Sequence, residues 1–164
     1  MSNSAVLLEQ PTPVSHLLSI NSDDDFIFIY NAFGLLIVEI DIRLLAEGIL
    51  NDTWRGAILY DEYTAFFNGI YYEIFCKFKF SKKISNFKNL ECSLEDIKEW
   101  LHDIYTPKFL CKNLKYNALV VSESMYNQLP INSLMDKIEA SSMENQIFTS
   151  EEDALLWLIS KQDK

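Results

Sequence analysis

Asn117-Ala-Leu-Val-Val121 and Gln146-Ile-Phe-Thr-Ser-Glu-Glu-Asp-Ala-Leu-Leu-Trp-Leu-Ile159 are the stretches on which the reading of the fold turns. The first is a short apolar, β-branched run and reads as a buried strand. In the second, Gln146 to Thr149 reads as another strand. Thr149 and Ser150 are cap residues, and Glu151, Glu152 and Asp153 put negative charge where a helix N-terminus favours it. The apolar Ala154 to Ile159 then docks that helix. Between the two stretches, Pro130 opens a helix whose Ile131, Leu134, Met135 and Ile138 recur at i, i+3, i+4 and i+7. Strand, helix, strand, helix in so short a span predicts crossovers onto a parallel pair of strands.

Working outward, Ser93-Leu-Glu-Asp96 is a loose capping box. Leu94, Ile97, Leu101, Ile104 and Tyr105 continue it as a helix over 94–106, which Pro107 stops. Ile70 to Phe80 alternates, with Glu73, Lys77 and Lys79 on one side and Ile74, Cys76, Phe78 and Phe80 on the other, and reads as a strand. Ala57 to Tyr60 reads as a further short strand. Phe26 to Tyr30 and Leu35 to Ile40 are strands joined by Asn31-Ala-Phe-Gly34, the composition of a hairpin loop with Gly at a positive φ. Both are nearly all apolar, which predicts a sheet covered on both faces. Asp41 is placed to cap a short helix carrying Leu44, Leu45 and Ile49. Residues 1–22, broken by Pro11 and Pro13, read as a flexible leader, 23–164 as a single α/β domain, and 52–69 as an insertion in it. The fold class is α/β: a mixed sheet with an opening hairpin and a C-terminal βαβα unit.

A chain of 164 residues with 49% hydrophobic content has enough material for one core. Its net charge of −10 repels phosphate backbones and anionic headgroups, so nucleic acid is not an expected partner. The cluster Lys77, Lys79, Lys82, Lys83 and Lys88, interleaved with Phe75, Phe78 and Phe80, reads as a half-buried strand with one wet face and not as a stacking platform. The opening MSNSAVLLEQPTPVSHLL has no basic n-region or long apolar run, and Phe26 to Ile40 is too short to span a bilayer as a helix. No membrane insertion is expected. Cys76, Cys92 and Cys111 are odd in number and widely spaced, which fits a reducing, cytoplasmic setting.

The chemistry of a catalyst is thinly represented. No phosphate-cradling glycine loop, nucleophile elbow or paired metal-ligand spacing is present in the sequence, so no cofactor and no metal are expected. Asp23, Asp24 and Asp25 lack the spacing of a Ca²⁺ loop and read as a solvated turn. His16 lies in the leader, and His102 reads as solvent-facing. A nucleophilic pairing of Cys111 with His102 is weighed below the reading of that cysteine as a core residue. Asp61, Glu62 and Glu73 read as surface charges.

Aromatic residues concentrate at Tyr60, Tyr63, Phe66, Phe67, Tyr71 and Tyr72. Core filling explains most of them. The polar tips of the tyrosines leave some for an interface or an apolar pocket, with homodimerisation through this stretch as a natural consequence.

Ala118-Leu-Val-Val-Ser122, Ile138 and the run from Gln146 to Leu158 together resemble the closing part of STAS-type (anti-sigma-factor antagonist-like) domains. There an apolar strand precedes a helix, and a last strand with Phe leads into an acidic cap and an A-L-x-W-L helix. The resemblance implies a STAS-like fold and a non-enzymatic regulatory module working through protein–protein contacts, or a carrier of a small apolar ligand. Regulatory members carry a phosphorylatable Ser after Asp. Ser81 and Ser85 have no Asp before them, so that switch is not carried over.

Overall fold

The structure is a computed structural model that describes residues 16–91, 114–128 and 143–162, apart from the side chains of Phe67 and Gln128. Seven strands form one sheet in chain order: β1 (Leu18–Ser22), β2 (Phe26–Asn31), β3 (Leu36–Asp41), β4 (Ile49–Gly56), β5 (Lys82–Leu90), β6 (Tyr116–Val120) and β7 (Glu144–Phe148). β1 to β4 pair antiparallel, and β4 to β7 pair parallel. The sheet is therefore mixed and the domain α/β, with the expected opening hairpin and the expected parallel pair at the end. At the hairpin tip Gly34 has φ 77°. Asn31 Oδ1 accepts from the amides of Phe33 and Leu35, both at 3.0 Å, which pins the loop.

The register divides the side chains between two layers. Ile27, Ile29, Val38, Ile40, Leu50, Trp54, Phe87, Leu119 and Val121 share one face and one apolar cluster. That cluster is closed by a continuous helical run made of α1 (Tyr60–Ala65), a π-helical segment (Phe66–Tyr71) and α2 (Tyr72–Lys77). On the opposite face Ile49, Ile84, Ala118 and Val120 pack with Ala154 and Leu158 of the closing helix (Glu151–Ser160). A six-residue helix, α3 (Glu123–Gln128), follows β6, and the closing helix is α4. Ser150 caps α4 as its sequence predicts, accepting from the Asp153 amide at 3.3 Å. Trp157 is half-buried, set against Phe148 and Tyr116 with centroids 5.7 and 6.3 Å away.

β5 holds α4 at both ends. Lys82 Nζ donates to the Lys161 carbonyl at 2.7 Å, where the helix C-terminus favours a cation. Asn86 Nδ2 donates to Glu151 Oε2 at 2.8 Å, and Asn51 Nδ2 to Oε1 at 2.9 Å, at the other end. Four strand steps cover about 13 Å, and a ten-residue helix about 15 Å, so Lys82 and Asn86 are spaced to reach both ends of α4.

Several expectations are corrected. Residues 18–22 belong to the sheet as β1, so the leader does not extend to residue 22. Ile70 to Phe80 is no strand: Ile70 to Lys77 continues the helical run, because Tyr63, Phe66, Ile70 and Ile74 recur at helical spacing and the Glu73 to Lys77 spacing is also i, i+4. The supposed insertion 52–69 is the second half of β4 and the start of this helix; of the strand expected over Ala57 to Tyr60, Ala57 to Leu59 form a loop and Tyr60 opens α1. After Asp41 only a 3-10 turn forms (Leu45–Glu47), and Ile49 begins β4. The strand instead begins after Phe80, as β5, with Lys82, Lys83, Ser85 and Asn86 all buried. The helices expected over 94–106 and from Pro130 lie outside the described residues.

Ala154 is fully buried against the sheet, whereas Leu156 on the same helix is exposed. Ala154→Leu is expected to cost about 1–3 kcal/mol through overpacking, and Leu156→Ser to stay within about 0.5 kcal/mol of the parent, as measured by urea unfolding.

Candidate functional site

The aromatic residues singled out from sequence separate on folding. Tyr63, Phe66 and Tyr71 are buried, Tyr72 is half-buried and Tyr60 is exposed, while the Phe67 side chain lies outside the described residues. Trp54 is the hub. Its ring lies 5.8 Å from Tyr63, 5.1 Å from Phe66 and 5.6 Å from Phe87, centroid to centroid. Phe66 and Tyr71 are 4.9 Å apart although five positions separate them, a spacing that the wider π turn brings onto one side of the helix. Tyr63 and Tyr71 are consumed by the core, so they do not line a dimer interface on the surface of this domain.

Beneath these rings lies a polar centre that sequence reasoning missed. Asp52, from β4, has its side chain fully buried and accepts from Trp54 Nε1 on Oδ1 at 2.6 Å and from the Tyr71 hydroxyl on Oδ2 at 2.5 Å. Lys83, from β5, stands 3.1 Å from the same Oδ2; the two side chains are 2% and 0% exposed. Its Nζ also donates to Ser85 Oγ and lies 5.0 Å from the centroid of the Tyr71 ring. Burial pushes the Lys83 ammonium below its ordinary range, and Asp52 pulls it back up through charge and hydrogen bonding. The sequence signal is Lys83 beside Ser85; the expectation of a half-buried strand puts the lysines of the basic cluster on its wet face. Of that cluster, Lys77, Lys79 and Lys88 are exposed while Lys82 and Lys83 are buried.

The other candidates resolve individually. Glu62 is buried and accepts from the Leu59 amide at 3.0 Å, which caps α1, whereas Asp61 is exposed and Glu73 half-buried. Asp23 Oδ1 accepts from the amides of Asp25 and Phe26, so the three-carboxylate run is a solvated turn. His102 and Cys111 lie outside the described residues; His16 and Cys76 are exposed. Among the described residues no group of three or more His, Cys, Asp or Glu is arranged to hold a metal ion, and no helix is long and apolar enough to cross a membrane.

Exposed large apolar side chains among the described residues are Tyr126 on α3, Leu156 and Ile159 on α4, and four at one end of the sheet. The parallel strands all end at the same side of the sheet, and the β2–β3 hairpin tip and the loop from β4 into α1 lie at that end too. There Phe33 is 84% exposed, Leu35 63%, Leu59 64% and Tyr60 60%. β3 and β4 are neighbouring strands, which brings the hairpin tip beside the start of α1.

No family model matches the chain, and no curated protein matches it. Among solved structures it is similar to an uncharacterized protein of the DUF3478 family with a SpoIIAA-like fold from Shewanella loihica PV-4. The identity is 14% and the TM-score 0.44, over 86% of this chain and 91% of the other.

Removing one member of a buried charge pair leaves the other uncompensated, so Lys83→Met is expected to cost about 3–5 kcal/mol. Asp52→Asn/Lys83→Met should cost less than the sum of its single changes, by about 0.5–3 kcal/mol. Because the folded protein holds the Lys83 proton less tightly than the unfolded chain, unfolding takes up a proton in the pH window below the ordinary value of 10.5. Stability relative to the double variant should therefore rise with pH through that window. Urea unfolding of parent and double variant across the alkaline range checks the slope.

Proposed function

We propose that this chain is a non-enzymatic regulatory module of the cytoplasm that binds a protein partner through the carboxyl end of its sheet. The observation that carries this reading is the exposure of Phe33, Leu35, Leu59 and Tyr60 at one end of the sheet. Burying a large apolar side chain is worth about 1.5–3 kcal/mol, and together these residues would supply the central anchors of an interface. The STAS resemblance of the closing segment supports the same mode, a scaffold that works by contact. The alternative of a carrier for a small apolar ligand rests on the aromatic wealth of the helical run. Packing around Trp54 accounts for those rings, so the contact reading is preferred.

Capture from a lysate of the source cells, with the parent and with Phe33→Ser/Leu59→Ser, tests it. The parent should retain a partner that the variant loses, while the variant's stability stays within about 0.5 kcal/mol for each exposed position. Recovery of the same proteins by both, or of none by either, would overturn the reading.

A further inference from the structure

The carboxyl end of the sheet carries a group of exposed carboxylates. Asp61, Glu91, Glu123, Glu152 and Asp153 are exposed, and each follows the carboxyl end of a parallel strand or opens a helix there. Glu91 sits directly beside β4, its amide bonded to the Gly56 carbonyl at 2.9 Å, and Asp61 adjoins Leu59 and Tyr60. Among the described residues none of these carboxylates forms an ion pair; the cations nearest that end are Arg55, whose guanidinium stands 3.7 Å from Glu39, and exposed Lys88. The opposite end is mixed. Exposed Asp23, Asp24, Asp25 and Glu47 stand there beside cations: Lys77 closes α2, Lys161 follows α4 and binds Glu144, and Arg43 binds Asp41.

We infer that the partner segment this end receives is a basic amphipathic helix, its apolar face on Phe33, Leu35, Leu59 and Tyr60 and its lysines or arginines among the flanking carboxylates. This deepens the binding reading above and rests on it. An apolar patch flanked by one sign of charge selects a partner of the other sign, through faster encounter and through repulsion of wrong partners. A second copy of the chain is disfavoured as the occupant, because a two-fold contact would set these carboxylates against their own equivalents. A helix suits the site because its apolar residues at i, i+3, i+4 and i+7 form a stripe with cations on either side. Long basic side chains reach outward from such a stripe while their stems stay on apolar surface.

The test uses the full chain and a synthetic leucine–lysine amphipathic helix as probe, followed by fluorescence anisotropy at physiological salt. A leucine–glutamate helix with the same apolar face is the control. The lysine probe should bind and the glutamate probe should not. Phe33→Ser/Leu59→Ser and Asp61→Asn/Glu91→Gln should each weaken binding by at least about tenfold. Asp23→Asn/Asp24→Asn/Asp25→Asn, at the far end, should leave it unchanged. Equal binding of both probes, no binding of either, or an equal loss in the Asp23 to Asp25 variant would overturn the inference. A cellular partner lost with Phe33→Ser/Leu59→Ser yet kept with Asp61→Asn/Glu91→Gln would remove the basic helix and leave the broader binding reading standing.

Discussion

A lysine ammonium and an aspartate carboxylate are held together in the core, between the central strands and the helical layer, and much of the architecture answers to that contact. Taking two such ions out of water costs several kcal/mol each unless their attraction and further hydrogen bonds offset it. Here Asp52 takes donors from Trp54, Tyr71 and Lys83, and Lys83 also meets Ser85. Those partners come from β4, β5 and the π segment. Satisfying the pair therefore fixes the pairing of two strands and the rotation of the helix above them.

The π turn gains a physical reason in this setting. It places Phe66 and Tyr71 on one side of the helix, so one ring packs on Trp54 while the other delivers its hydroxyl to Asp52. A regular α-helix would turn residues five apart away from each other. The helical cover is thus tied to the sheet by polar groups at its centre and by apolar groups around them. On the opposite face β5 does the same for α4, through Lys82 and Asn86. β5 is polar in sequence because it supplies anchors to both layers.

This arrangement keeps the polar centre inside and leaves an apolar, acid-flanked rim outside. The buried groups are engaged with one another and hold the fold, whereas Phe33, Leu35, Leu59 and Tyr60 are exposed at the carboxyl end, in two loops and the first residue of α1. In α/β sheets that end is the usual place for recognition, since its loops vary without disturbing the core. The proposed mode of action places binding on that rim and stability in the Asp52 centre.

The hairpin, β6, β7 and α4 were legible because each is specified locally. Gly34 permits the turn, β-branched runs mark the strands, and Ser150 with its acidic followers marks a helix start. The run from Tyr60 to Lys77 was misread where a polar–apolar alternation over a few residues masked the longer helical period. β5 was hidden for a different reason. Lys82, Lys83, Ser85 and Asn86 look like solvent-facing residues to any local rule, and their partners at Asp52, Glu151 and Lys161 are remote in the chain. The sequence by itself determined an acidic α/β chain with a parallel closing unit, because backbone preference and apolar spacing act over a few residues. Only the tertiary structure decided which charges are buried, which aromatic rings are core and which apolar side chains face water, because burial depends on what the rest of the chain brings alongside.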